Sequence, residues 1–257
     1  IAVFADRADA GRRLAERLEG YRSPQTDAFP DGDGALVSPA VVLGIPRGGV
    51  EVAAVIARTL GLPLDVVVAT KVGAPGNPEF AIGAVSADGE VQANPSTALP
   101  ADEVRRLSGS AHAKAVHEVS LFRAGRGPLD LEDRTVIVVD DGLATGLTAL
   151  AAVGYVCRMG AERVVLAVPV APPDTARTLA DYVDELVVLE TPPDFSAVGQ
   201  FYGRFGQVED ADVLALLARS GARIAETARA GADTGGEAPV ERIGRQTTPA
   251  ATLTARA

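Results

Sequence analysis

Two adjacent carboxylates, Asp140 and Asp141, end a run of four branched apolar residues, Val136 to Val139, and precede Gly142-Leu-Ala-Thr-Gly-Leu-Thr148. Branched aliphatics in unbroken succession suit a strand covered on both faces of a sheet. The loop of small residues then opens into an apolar helical pattern running from Leu147 toward Cys157. At the end of a buried strand, such carboxylates can accept hydrogen bonds from ribose hydroxyls. The loop amides, the hydroxyls of Thr145 and Thr148 and the helix N-terminus can take a phosphate dianion. Strand, acidic pair, loop and helix together fit a sugar carrying a phosphate. Solvated loop charges or a bare metal site are the plainer readings of the acidic pair, and the two threonines beside it weigh against them.

A second strand-to-helix junction reads Leu43-Gly-Ile-Pro46-Arg47-Gly48-Gly49. Glycines let the backbone approach an anion closely, and the amides of Gly48 and Gly49 would point out from a helix start. Arg47 adds a permanent planar cation suited to phosphate oxygens. A plain structural turn is the alternative. Neither junction is a P-loop, since no Gly-Lys-Ser/Thr occurs, and neither matches the Gly-x-Gly-x-x-Gly dinucleotide pattern. Both follow strands, so both are expected at the carboxyl edge of one sheet, where open α/β sheets bind ligands. A ligand with two separated phosphate groups and a sugar between them suits the pair. Lys71 follows another strand and is either a third cation for that ligand or an ordinary surface lysine. His112 and His117 are five apart, a spacing that does not align metal ligands on a helix, and are read as solvated.

The elements that would position these residues alternate along the chain. A helix is expected from Asp6 to Leu18, with Ala10, Leu14 and Leu18 on one face. Residues 22 to 39, rich in Pro, Asp and Gly, read as a connecting loop. Strands are expected at Val41–Ile45 and Asp65–Ala69, with a helix at Gly49–Leu60 between them. Val72 to Pro78 has too much Gly and Pro for regular structure. Phe80–Ser86 and Glu90–Ala93 flank an Asp88-Gly89 turn signal and resemble a hairpin. A single helix is expected over Ala101–Arg123, then the acidic strand and its helix. A strand at Arg163–Val170, a short helix at Pro173–Asp181, a strand at Asp184–Leu189 and a last helix from Asp210 to Arg229 complete the series. The alternation predicts an α/β fold, a mostly parallel sheet with helices on both faces. Beyond Ala230 the chain loses its periodicity and reads as a disordered tail.

A chain of 257 residues with 47% apolar content can bury a sizeable core in one main domain. The net charge of −10, with no Lys/Arg block, argues against a nucleic-acid partner. The lone Cys157 forms no intrachain disulfide, suits a reducing cytoplasm and is expected to be a small buried apolar group. No membrane span or export leader is expected. The opening apolar residues meet Asp6-Arg7 too early, and the charge-free span from Gly142 to Cys157 is short and begins with a Gly/Thr loop.

The Val136–Thr148 segment resembles the signature of the type I phosphoribosyltransferases, which bind 5-phosphoribosyl-1-pyrophosphate. Gly44-Ile-Pro-Arg-Gly-Gly-Val-Glu51, Lys71-Val-Gly-Ala-Pro-Gly-Asn-Pro-Glu-Phe-Ala-Ile-Gly-Ala-Val85 and Asp140 to Thr148 extend the resemblance to one bacterial branch of that family, across about Phe4 to Leu217. The resemblance implies a phosphoribosyltransferase domain over residues 1–220, a small hood element, and a helix end with a disordered tail over 221–257. It implies that Asp140 and Asp141 hold the ribose 2′- and 3′-hydroxyls, and that Ala144, Thr145, Gly146, Leu147 and Thr148 cradle the 5′-phosphate. Arg47, Gly48 and Gly49 would meet the pyrophosphate, in a turn that holds a non-proline cis peptide in relatives, and Lys71 would approach the same group. The implied catalytic set is therefore Arg47, Lys71, Asp140 and Asp141, with Mg²⁺ carried by the ligand and touching the two aspartates. Residues 75–79 would form a loop that closes over the site. An arginine usually precedes the lysine in relatives; here Thr70 does, so one cation is lost.

The acceptor is expected in the hood, where Phe195, Phe201, Tyr202 and Phe205 cluster. These rings could stack a planar base or anchor the C-terminal segment as an apolar plug. Two functions compete. One is an enzyme that transfers the phosphoribosyl group to a nucleobase-like or other nitrogen acceptor, in nucleotide metabolism. The other is a noncatalytic regulatory protein that binds the same ligand. A homodimer is an open expectation for either.

Overall fold

Val136, Ile137, Val138 and Val139 are each fully buried, as a branched-aliphatic run must be when both faces of its sheet are covered. They belong to a computed structural model that describes residues 2–23 and 40–220. In chain order the strands are β1 (Val41–Gly44), β2 (Leu64–Val66), β3 (Ala69–Ala74), β4 (Asn77–Ser86), β5 (Val91–Ala93), β6 (Thr135–Val139), β7 (Arg163–Val170) and β8 (Glu185–Glu190). The helices are α1 (Arg7–Arg17), α2 (Gly48–Leu60), α3 (Ala101–Leu107), α4 (Gly109–Phe122), α5 (Leu147–Arg158) and α6 (Pro173–Ala180), with a last one, α7, over 210–220.

The main sheet runs β2-β1-β6-β7-β8, all parallel. Alternate side chains leave opposite faces. Val41, Leu43, Val136, Val138, Leu166 and Val168 join one core with α5 and α6, while Val42, Ile137, Val139, Val165 and Ala167 join the other with α1 and α2. This is the layered α/β architecture that the alternation of elements predicts. α1 starts where the Asp6 carboxylate accepts from the Asp9 N–H at 2.9 Å, and Ala10, Leu14 and Leu18 are buried along one stripe.

Several expectations need correction. The strand expected at 65–69 is two: β2 closes the edge of the parallel sheet, and β3 begins a separate antiparallel sheet, β3-β4-β5. Residues 72–78, expected to be irregular, belong mostly to the β3–β4 hairpin. Gly76 turns it at φ +76°, and register shifts around Gly73 take up the mismatch. A Cβ on Gly73 would lie 2.6 Å from the Pro78 carbonyl, so Gly and Pro mark a bulge here rather than the end of a strand. The helix expected over 101–123 breaks at Ser108, whose hydroxyl donates to the Arg105 carbonyl at 2.8 Å. That bond competes with the helix, and Gly109 offers little propensity to carry it through.

Cys157 is exposed rather than buried. α5 is sandwiched between the two sheets, with Val156 fully buried in its last turn, and Cys157 lies on the side of that turn that meets solvent. His112 is not simply solvated either, for its Nε2 lies 3.1 Å from the Ala87 carbonyl. Most of the expected 22–39 loop, the end of the last helix and the expected disordered tail lie outside the described residues.

Leu43 is fully buried on β1, between β2 and β6 of the parallel sheet, and Leu43→Ala should cost the fold about 2–5 kcal/mol of stability. Leu214→Ala, at a partly exposed position on α7, should change it by no more than about 0.5 kcal/mol. Urea unfolding of the two variants checks the contrast; equal losses would mean that the core is not centred on β1 and β6.

Candidate active site

The site begins with the pairing of β1 and β6. Beyond the last paired residues, Gly44 and Val139, the Ile45 N–H still donates to the Val139 carbonyl at 2.9 Å. Both chains therefore leave the sheet side by side, and residues 45–49 meet Asp140 and Asp141. The peptide bond between Pro46 and Arg47 is cis. α2 starts directly afterwards at Gly48.

Two glycines are required by how closely these segments approach. A Cβ on Gly48 would sit 1.9 Å from Asp141 Oδ2, and one on Gly49 would sit 2.6 Å from the Val139 carbonyl and 2.9 Å from Asp140 Cα. Sequence reasoning expected these glycines to admit a ligand anion. In the fold they also admit the chain's own carboxylates.

Gly146 precedes α5 at φ +72°, and no side chain caps the helix. The amides of its first turn have no partner within the helix. Thr145 and Ala144 are exposed and Thr148 is partly so; the Ala144 carbonyl accepts from the Thr175 hydroxyl at 2.8 Å. Carboxylates, glycine turn and helix start thus converge at the carboxyl edge of the sheet. Lys71 is exposed on β3, in the second sheet, which packs on α5. Beside it, Thr70 Oγ1 is buried without a hydrogen-bond partner.

Burial raises the pKa of both acids, and for Asp140 the charge of Asp141 adds to the effect. Two groups oppose the rise. The Asp141 N–H donates to Asp140 Oδ1 at 2.9 Å, and the Arg7 Nε donates to Asp141 Oδ2 at 2.8 Å. Arg7 was missed in the sequence, although it continues the buried stripe of Ala10, Leu14 and Leu18 by one more turn. A cation on an apolar stripe was the available signal. Its Nη1 donates to the Gly206 carbonyl at 2.8 Å and lies 3.6 Å from Glu51 Oε2. Burial also pushes the Glu51 carboxyl up. Arg7, Asp6, Glu51, Arg204, Asp212 and Arg219 line part of a cavity of about 490 Å³ between α1, α2 and α7.

Arg47 is turned toward α7, where its Nε donates to Asp210 Oδ1 at 2.6 Å. Tyr202 lies under the acidic pair and donates its hydroxyl to the Asp141 backbone carbonyl at 2.6 Å. Burial pushes the Tyr202 phenol far up, so it remains a donor. Phe201 and Tyr202 are buried with Phe4, Ala10 and Val170. Phe195 is partly exposed against Phe201, and Phe205 is more so. Among the described residues no group of three or more His, Cys, Asp or Glu gathers to hold a metal, and no helix is long and apolar enough to cross a membrane.

Residues 32–202 match the family pattern described as "Phosphoribosyl transferase domain". A curated Mycobacterium tuberculosis protein named "Putative phosphoribosyl transferase" is 40% identical over 230 residues, covering 88% of this chain and 49% of the relative. The chain thus spans about half the length of the curated relatives it matches. The crystal structure of TT1426 from Thermus thermophilus is similar at a TM-score of 0.67 and 41% identity, covering 84% of this chain and 98% of that one.

The acidic pair makes a pH-dependent contribution whose sign is fixed. Both acids titrate above the ordinary 3.8 when folded, so the folded state takes up protons before the unfolded chain as pH falls. The pair is therefore most destabilising at neutral pH, and stability returns as pH falls toward 3.8. Asp140→Asn should melt above the wild type at neutral pH, by a margin that narrows toward that value. Thermal melts across the range check this; a variant that melts lower at neutral pH would show that the anion is stabilised in place.

Proposed function

We propose a reaction for this chain, which belongs to the phosphoribosyl transferase domain family: transfer of the ribose 5-phosphate group of 5-phosphoribosyl-1-pyrophosphate to a nitrogen acceptor, with release of pyrophosphate. The observation that supports it most is the contact of the two strand ends, which sets Gly48 and Gly49 against Asp140 and Asp141. In this reading the two aspartates accept from the ribose 2′- and 3′-hydroxyls. The α5 start, Ala144 to Thr148, takes the 5′-phosphate, and Arg47, Gly48, Gly49 and Lys71 take the pyrophosphate. The setting is cytoplasmic, as part of the same proposal.

The chemistry needs no dedicated nucleophile. The C1–oxygen bond breaks with its electron pair leaving on pyrophosphate, the acceptor nitrogen donates its lone pair to C1, and the acceptor proton passes to solvent. Negative charge grows on the leaving oxygens, where Arg47, Lys71 and the amides of the α2 start can stabilise it. Closure of the β3–β4 hairpin tip, residues 75–79, would keep water from capturing C1. Asp140 and Asp141 are hard oxygen donors, and Mg²⁺ is commonly held by one or two carboxylates together with ligand phosphates, so the residues fit that ion. When bound, it would supply Lewis-acid stabilisation of the pyrophosphate charge. Phe195 and Phe205, the more exposed rings of the hood, are the candidates for the acceptor surface.

Calorimetric titration with 5-phosphoribosyl-1-pyrophosphate, with and without Mg²⁺, should show magnesium-dependent binding in the micromolar range or tighter. Asp140→Asn combined with Asp141→Asn should weaken it by about a hundredfold while the fold persists. Unchanged affinity in that double variant would remove the aspartates from the site. Once an acceptor that releases pyrophosphate is found, Lys71→Ala should lower kcat about a hundredfold and ligand affinity much less. Equal losses in both would mean that Lys71 binds the ground state and the transition state alike. Tight binding with no acceptor supporting turnover would instead favour a noncatalytic regulatory protein.

A further inference from the structure

Arg7 is nine-tenths buried and lies far in sequence from every residue of the strand-end motifs, yet it touches the acidic pair directly. It is one side of a closed ring of contacts around Asp141. The Arg7 Nε holds the Asp141 carboxylate at 2.8 Å. The Arg7 guanidinium carbon lies 3.9 Å from the centre of the Phe205 ring. That ring stacks on Tyr202 at 5.0 Å, and the Tyr202 hydroxyl returns to the Asp141 backbone carbonyl at 2.6 Å. Asp141 is thus gripped at both its side chain and its main chain by groups from the two ends of the described chain.

We propose that Arg7 and Tyr202 are positioning residues, which hold Asp141 in the orientation that receives the ribose hydroxyls. This rests on the reading of Asp141 as a sugar-binding group. The Asp141 side chain has two torsions, and rotation about them could swing the carboxylate away from the ligand toward solvent. A charge-assisted hydrogen bond from a buried guanidinium fixes the carboxylate more firmly than a neutral donor would. Arg7 is in turn immobilised by its second bond, to the Gly206 carbonyl, and by the aromatic face beneath it. A lysine could supply the charge but not the two-nitrogen fork. The clamp acts on the sugar-binding carboxylate and not on Arg47 or the α5 start, so its loss should be felt by a ligand with a ribose and not by pyrophosphate alone.

The test compares two probes, 5-phosphoribosyl-1-pyrophosphate titrated with Mg²⁺ and inorganic pyrophosphate titrated without it, each into the wild type, Arg7→Met, Arg7→Lys and Tyr202→Phe. Arg7→Met should weaken the ribose-bearing ligand by about ten- to a hundredfold, the cost of a lost hydrogen bond to a charged group. Pyrophosphate affinity should stay unchanged, and Arg7→Lys should fall between Arg7→Met and wild type. Tyr202→Phe loses only a hydroxyl and guards against misfolding of the arginine variants; it should weaken the ribose-bearing ligand by about tenfold or less, again sparing pyrophosphate. Parallel losses for both probes would make the clamp a structural brace only and overturn the proposal. So would undiminished affinity for the ribose-bearing ligand in Arg7→Met, or in Tyr202→Phe and Arg7→Lys together. A wild type that fails to bind the ribose-bearing ligand overturns the reading of the site, and this inference with it; the other outcomes overturn this inference alone.

Discussion

A carboxylate delivered by a fully buried strand loses hydration that nothing apolar can replace, and a second one beside it adds repulsion. Much of the surrounding structure answers that cost. The Asp141 amide turns back onto Asp140, Arg7 meets Asp141 from α1, and Tyr202 donates to the Asp141 main chain from the hood. Gly48 and Gly49 leave the volume that the pair occupies. Substituting apolar residues for the aspartates would relieve the cost, as buried ion pairs often allow. Their retention at the edge of the sheet fits a site that spends stability on function.

The N–H groups of Val3 and Phe4 donate to the Phe201 carbonyl at 2.9 Å, and the Gly203 N–H donates back to the Phe4 carbonyl at 2.8 Å. The segments at 3–4 and 201–203 are therefore zipped together. This explains how Arg7 and Tyr202 come to the same aspartate although they lie near opposite ends of the described chain. It also accounts for the burial of Phe201 and Tyr202, since the zipper needs an apolar seat and Phe4 supplies the facing ring.

What was legible in the sequence was local. β6, the acidic pair and α5 follow one another without interruption, so branched apolar residues, small loop residues and helical spacing each signal within a few positions. The parallel sheet followed from the same signals repeated. The β3–β4 hairpin was obscured because its Gly and Pro serve a bulge, and bulge and loop have the same composition. The break at Ser108 depends on one side-chain bond that propensity does not weigh. Arg7 was illegible as a site residue because its meaning lies in a contact across 134 positions, and only its place on an apolar stripe hinted at it.

Two of the charge pairs at the site are unequal, and the inequality bears on how a ligand would enter. Arg47 and Asp210 are both substantially exposed, so water screens their attraction, and pairs of this kind contribute about 0–1 kcal/mol. Arg7 and Asp141 are shielded from water, and breaking such a pair leaves an uncompensated buried charge at a cost of several times as much, about 3–5 kcal/mol. In the proposed reaction an incoming pyrophosphate can therefore draw Arg47 away from Asp210 at little cost, exchanging one anion for another of higher charge. It cannot draw Arg7 from Asp141 in the same way. The cation that must follow the leaving group is held loosely, and the carboxylate that must stay still for the sugar is held firmly.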